Sequence, residues 1–108
     1  MSCVIQVVQY PDSLDISRNT QFTREIEHLV EAGVNIVLLD LKNVTFITSS
    51  GLMVLVLAFK AVQRAGGKLF ICSINEQVRI LFELTGLDQV FETFANLEEF
   101  NKTVFSTK

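Results

Sequence analysis

The chain has 108 residues, of which 49% are hydrophobic and 19% charged, and its net charge is −3. This composition predicts one folded globular domain over residues 1–108 and excludes a disordered tail. The Lys and Arg residues are scattered singly, so we expect no direct nucleic-acid binding. The longest apolar stretch, residues 51–59, is far shorter than the about 20 residues that span a bilayer. With no signal-peptide pattern at the N-terminus either, we expect a cytoplasmic protein without membrane insertion.

The first half of the chain alternates between strand and helix patterns. Residues 4–8 are apolar and rich in β-branched side chains, which predicts a strand, and Pro11 falls in the turn that follows. Residues 17–32 place apolar side chains on one face of an amphipathic helix, and Gly33 suits its C-terminal cap. Residues 34–41 are almost continuously apolar, as is typical of a strand buried on both faces.

The second half continues the alternation. A helix is predicted from about Ser50 to Arg64, and its residues 52–59 are apolar nearly all round, so it must be covered on more than one side. The remaining predicted elements are a strand over 68–72, a helix ending at Gly86, a strand over 90–94 and a helix over 97–104. This order predicts an α/β fold with a mostly parallel sheet of about four strands alternating with about four helices.

No constellation of residues predicts catalysis. His28 lies off the apolar stripe of the first helix and is interpreted as a solvated surface residue. Ser49 lacks the G-x-S-x-G surroundings of a hydrolase nucleophile, and Gly66-Gly67-Lys68 precedes a strand, the wrong context for a phosphate-binding loop. Cys3 and Cys72 have no metal-ligand spacing and are expected to be buried, reduced thiols. We therefore expect no enzyme activity, metal site or cofactor.

Asp40 supports one alternative interpretation. Residues 37–41 resemble the phosphoaspartate strand of a receiver domain, which would make Asp40 an acceptor of phosphate in the presence of Mg²⁺. Receiver domains also have an acidic pair just after the first strand, and Asp12 and Asp15 are not adjacent. A receiver would also place two strands, not one, before its phosphoaspartate. The other interpretation of Asp40 is an acid at a strand end that bonds the loop after it.

Three consecutive hydroxyl residues, Thr48, Ser49 and Ser50, stand where a loop turns into the second helix, and Gly51 follows them. A Ser or Thr N-cap explains one of these hydroxyls. The glycine costs a helix about 1 kcal/mol relative to alanine. It is expected here if the surface must stay low for an approaching partner.

The segment 48–52, Thr-Ser-Ser-Gly-Leu, resembles the Asp-Ser-(Ser/Thr)-Gly-Leu signature of STAS domains, the bacterial anti-sigma-factor antagonists. The further segments that resemble this family lie at 13–15, 37–44, 65–69 and 77–87. The resemblance covers nearly the whole chain in order and implies a STAS-like fold. Two departures are present: Thr48 stands where the family has aspartate, and one strand precedes Asp15 where many members have two.

The resemblance implies a partner switch. The unphosphorylated antagonist would bind an anti-sigma factor that is also a serine kinase, and phosphorylation would release it. A PP2C-type phosphatase would then remove the phosphate. By position the phosphoacceptor is Ser49, with Ser50 as second choice. The residues expected to shape the docking surface are Asp15, Thr48, Ser50, Gly51, Leu52 and Met53, of which Leu52 suits a core position equally well. The alternative is a STAS scaffold or small-ligand-binding module without phosphorylation.

Overall fold

The structure is a computed structural model that describes residues 4–9, 16–45 and 47–105. Strands and helices alternate along them, as the sequence predicts. The elements are β1 (Ile5–Gln9), α1 (Ile16–Glu31), β2 (Ile36–Asp40), α2 (Ser49–Arg64), β3 (Lys68–Cys72), α3 (Glu76–Thr85), β4 (Glu92–Phe94) and α4 (Leu97–Phe105), with a short 3₁₀ turn over Leu87–Gln89 between α3 and β4.

The four strands form one sheet in the order β1-β2-β3-β4, and every neighbouring pair is parallel. Val7 lies opposite Leu38, which lies opposite Phe70. The two central strands are the most buried, and β2 has one intermediate residue followed by four buried ones. The predicted α/β fold with a four-stranded parallel sheet and four helices is therefore confirmed.

Three helices cover one face of the sheet. Their buried side chains, among them Ile26 of α1, Leu55 of α2 and Phe82 of α3, form the larger core cluster together with the strand residues Leu39 and Ile71. All five are at most 1% exposed. Burying a side chain of this size contributes about 1.5–3 kcal/mol, so this cluster is the main source of stability.

The fourth helix covers part of the opposite face. Phe100 of α4 packs there with Leu38, Cys72 and Phe94. The rings of Phe70, Phe94 and Phe100 lie 5.3–5.7 Å apart between centroids, in edge-on or tilted arrangements. Aromatic pairs at these spacings and angles stabilise the fold by more than the burial of their surface alone. They fix α4 to the β3–β4 side of the sheet.

The structure differs from the prediction mainly at element ends. Strand β2 begins at Ile36 because Val34 closes the helix C-terminus through its N–H bond to Leu29, while the Asn35 N–H bonds the Val4 carbonyl. Gly86 caps α3 in the left-handed conformation, as expected, and the 3₁₀ turn follows it. Thr85, the last residue of α3, is exposed.

Candidate functional site

The loop between β2 and α2 carries the hydroxyl segment, and buried side chains anchor it. Leu41, Val44 and Ile47 are each at most 4% exposed. At the start of the loop, Oδ1 of Asp40 accepts a hydrogen bond from the Lys42 N–H at 3.0 Å. These anchors place the residues after Ile47 at the edge of the sheet where the strands end.

Asn75 ties this loop to the neighbouring helix. Its side-chain amide donates to the carbonyls of Val44 and Thr45, at 3.2 and 3.3 Å. Its Oδ1 accepts from the Val78 N–H at 2.8 Å and thereby caps the N-terminus of α3. One side chain therefore fixes the loop before α2 relative to the start of α3.

Thr48 is the N-cap of α2. Its backbone is extended and its Oγ1 accepts a hydrogen bond from the Gly51 N–H at 3.1 Å. The helix therefore begins at Ser49, one residue before the predicted start, and Ser49 and Ser50 are its first two residues. Thr48, Ser49 and Ser50 are all exposed. Both candidate phosphoacceptor hydroxyls thus lie in the first turn of a helix, where unpaired N–H groups and the helix dipole favour an anion.

The structure separates the other expected docking residues. Met53 is 59% exposed, Leu52 is half-buried against the main core, and Gly51 is buried. The role of Gly51 in keeping the surface low for a partner stays a prediction. Of the residues expected on the docking surface, Asp15 lies outside the described residues.

Helix α2 exposes two apolar side chains on the same face as Ser49. Met53 follows Ser49 by four residues and Leu57 follows Met53 by four, so all three share one face of the helix. Leu57 is 46% exposed. The apolar pattern around α2 predicted cover on more than one side, and α1 and the sheet supply it. Met53 and Leu57 nevertheless remain uncovered in the described part of the chain.

Asp40 has a structural role. It is 7% exposed; Oδ1 bonds the following loop, and Oδ2 accepts from the Gln9 side-chain amide at 3.0 Å. This is the arrangement expected of an acid at a strand end, and it does not favour the receiver-domain alternative. His28 is exposed, with its ring 3.9 Å from the Glu31 carboxylate, as expected of a surface residue.

Cys72 is fully buried and free, as expected, whereas Cys3 lies outside the described residues. Burial is the main cause that raises the pKa of the Cys72 thiol above its ordinary value, and the hydrogen bond with Ser73 opposes it. A thiol held in this protonated form is a poor nucleophile. Among the described residues, no group of three or more His, Cys, Asp or Glu side chains could hold a metal ion.

Two residues of the site were missed from the sequence. Asn75 stands 30 positions after the loop that it holds, and no local pattern predicts that pairing. Its capping role could have been predicted, because Asn directly before a helical pattern is a common N-cap. Leu57 was hidden in a run of apolar residues that gave no reason to single it out.

Comparison with known proteins identifies the family. The model of the STAS domain family matches residues 4–100. The chain therefore belongs to the STAS domain family. None of the helices in the described part of the chain has the length and hydropathy needed to cross a bilayer.

The relatives carry the names of anti-sigma factor antagonists. The anti-sigma-B factor antagonist of Bacillus subtilis is 30% identical over 91 residues, which cover 84% of this chain and 83% of the relative. BtrV of Bordetella bronchiseptica, a candidate anti-sigma factor antagonist by name, is 33% identical over 87 residues, or 81% of this chain and 74% of the relative.

Solved structures confirm the fold. The anti-sigma factor antagonist SpoIIAA in its unphosphorylated form superposes with a TM-score of 0.78 at 18% identity, over 99% of this chain and 93% of SpoIIAA. The Bacillus SpoIIAA in its phosphorylated form gives a TM-score of 0.70 at 16% identity, over 94% and 93%.

Proposed function

We propose that this chain is an anti-sigma factor antagonist switched by phosphorylation of Ser49. In the unphosphorylated form it binds an anti-sigma factor that is also a serine kinase, and phosphate on Ser49 releases it. A PP2C-type phosphatase restores the binding form. The chain acts as a binding partner and not as a catalyst, in the bacterial cytoplasm where transcription takes place.

The observation that carries this proposal is the exposure of Ser49 at the first position of α2, directly after its N-cap. A kinase must reach the hydroxyl, and an exposed first-turn serine meets that requirement. The names of the relatives supply the anti-sigma factor as partner. Met53 and Leu57, exposed on the same helix face, provide the apolar contact area that a docking partner needs.

The size of the switch follows from charge. A phosphoserine carries about −1.5 to −2 charges near neutral pH. A partner carboxylate about 4 Å away would be repelled by roughly 4 kcal/mol per unit charge at an effective dielectric constant near 20. That corresponds to about a thousandfold loss of affinity before screening by salt. The phosphate therefore releases the partner without any need to refold the domain.

The test uses the full chain with ATP, Mg²⁺ and each anti-sigma serine kinase encoded in the same genome. Mass spectrometry should find one phosphate, mapped to Ser49. Ser49→Ala should abolish it, and the matched control Ser50→Ala should leave it. Titration calorimetry with the kinase should then show tight binding for the unmodified chain and about a thousandfold weaker binding for the phosphorylated chain.

The outcomes separate the alternatives. Phosphate on Ser50 would keep the switch and correct its position. Binding to an anti-sigma factor without phosphate transfer would favour a scaffold, and a chain that neither binds nor is phosphorylated would overturn the proposal.

A further inference from the structure

The outer edge of β1 has no neighbouring strand in the described part of the chain, and the Gln6 side-chain amide donates there to the Val7 carbonyl at 3.3 Å. This strand is the first in the sheet order, and among the described residues no strand lies beyond it. The Val4 carbonyl accepts from the Ile36 N–H, and Ile5 lies opposite Ile36. In a parallel ladder the inward bonds of β1 therefore belong to residues 4, 6 and 8. The N–H and C=O groups of Ile5, Val7 and Gln9 point away from the sheet.

The two edges of the sheet differ in how they are protected. Strand β4 has only three residues, and its exposed Glu92 places a charge on that edge. Short edge strands and charged side chains are the devices that prevent pairing with another chain. Strand β1 has five residues, Ile-Gln-Val-Val-Gln, without a charge or a proline. Strand β1 therefore lacks the features that prevent an edge strand from pairing with another chain.

This edge is complementary to itself. A two-fold axis through Val7 would pair Val7 with Val7 of a second copy and Ile5 with Gln9 of that copy. Each such pair of antiparallel residues exchanges two N–H···O=C bonds. The outward groups of Ile5, Val7 and Gln9 would then all be bonded, with no register shift.

The side chains at this edge add apolar surface. Val7 is 39% exposed and lies on the same sheet face as Leu38, its register partner. Helix α4 covers that face on the β3–β4 side, through contacts of Phe100 with Phe70 and Phe94. Pairing two β1 strands would bring the two Val7 side chains together across the axis and remove apolar surface from water.

We propose that the chain forms a homodimer through antiparallel pairing of its β1 strands, which joins two four-stranded sheets into one of eight strands. The occupant is a second copy because β1 carries no charge or proline that would oppose its own image, and its outward backbone groups are all bonded about a two-fold axis. Ser49 follows β2 at the end of the strands, and not at the lateral edge. The dimer therefore leaves the serine accessible, and this inference does not depend on the proposed phosphorylation.

The first test is sedimentation equilibrium of the purified chain from micromolar to millimolar concentration. The mass should rise towards twice that of one chain. Val7→Lys should stay at the single-chain mass throughout, because two ammonium groups would meet at the axis. Val90→Lys is the matched control, since Val90 is 45% exposed on another part of the surface, and it should associate like the unchanged chain. Circular dichroism checks that both variants are folded.

The second test reads the register by disulfide formation in a Cys3→Ser background. Cα atoms in a hydrogen-bonded antiparallel pair lie about 5.5 Å apart, within disulfide reach. Val7→Cys should therefore yield a covalent dimer under mild oxidation. In this register the two copies of a Val4→Cys variant would have their cysteines offset by six residues along the strands, about 20 Å at roughly 3.3 Å per residue. This variant should therefore form no covalent dimer.

The outcomes decide the proposal. A chain that keeps the single-chain mass at millimolar concentration would overturn it. Equal association of Val7→Lys and Val90→Lys, or equal cross-linking at positions 4 and 7, would also overturn it because association would then use another surface or register.

Discussion

Replacing Thr48 tests how the site is built. The Thr48 hydroxyl accepts the Gly51 N–H at 3.1 Å and its side chain is exposed, so Thr48→Ala removes a cap without creating a cavity. Loss of such a cap costs about 1 kcal/mol, within a range of about 0.5–2 kcal/mol. For a domain of this size the melting temperature should fall by about 4–8 °C.

Two further variants at this position isolate the cause. Thr48→Ser keeps the hydroxyl and should stay within about 0.5 kcal/mol of the unchanged chain. Thr48→Asp keeps an acceptor and adds a negative charge at the N-terminus of α2, which should raise stability by about 0.3–1 kcal/mol at low ionic strength.

Urea unfolding followed by circular dichroism gives the free energy of unfolding for each variant. Equal stability of the alanine and serine variants would refute the capping argument, because only the serine retains the acceptor. A stabilising effect of the aspartate that did not weaken with added salt would refute the electrostatic part.

Three other predictions concern the framework of the site. Asn75→Asp keeps the acceptor for the Val78 N–H but cannot donate to the two loop carbonyls, so urea unfolding should show a loss of about 1–3 kcal/mol; unchanged stability would contradict that role. The raised pKa of Cys72 means that the folded state holds its proton more tightly. In a Cys3→Ser background, the protonated Cys72 thiol should contribute fully to the free energy of unfolding below the ordinary thiol pKa of about 8.5. This contribution should be lost as the pH rises towards the higher pKa of the folded state. Cys72→Ala, compared by unfolding between neutral and alkaline pH, should remove that part of the decline. Gly67→Ala would bring a Cβ within 2.7 Å of the Asn35 carbonyl oxygen and should destabilise by about 1–3 kcal/mol in thermal unfolding; an unchanged melting temperature would contradict the steric argument.

Much of the fold could be predicted because periodicity reports burial directly. In α1 the spacing of Phe22 and Ile26 predicted the buried face, and both are at most 4% exposed. The continuous apolar run around Leu38 and Leu39 predicted a central strand for the same reason. In these elements each local preference agrees with the overall packing.

The details of the site depend on tertiary packing, which local patterns do not contain. Any of Thr48, Ser49 and Ser50 could have capped α2, since all three carry a hydroxyl. In the structure Thr48 is the residue that caps the helix. Ile47 before it is anchored in the core, and the backbone of Thr48 is extended. Likewise, the all-round apolar pattern of α2 could not show which of its side chains α1 would leave exposed.

The threonine at position 48 changes what a phosphate on Ser49 would do. The first turn of α2 contains no acidic residue, and Thr48 caps it with a neutral hydroxyl. The unmodified end of the helix therefore presents only the partial positive charge of its free N–H groups. This end of the helix therefore favours a neutral or acidic group on the partner. Where an aspartate occupies the cap, a phosphate adds to a negative charge that the partner already tolerates. In this chain the proposed phosphate would instead reverse the local sign, from partly positive to about −1.5 to −2, so a single modification has its full effect on the interface while the capped helix beneath it stays in place.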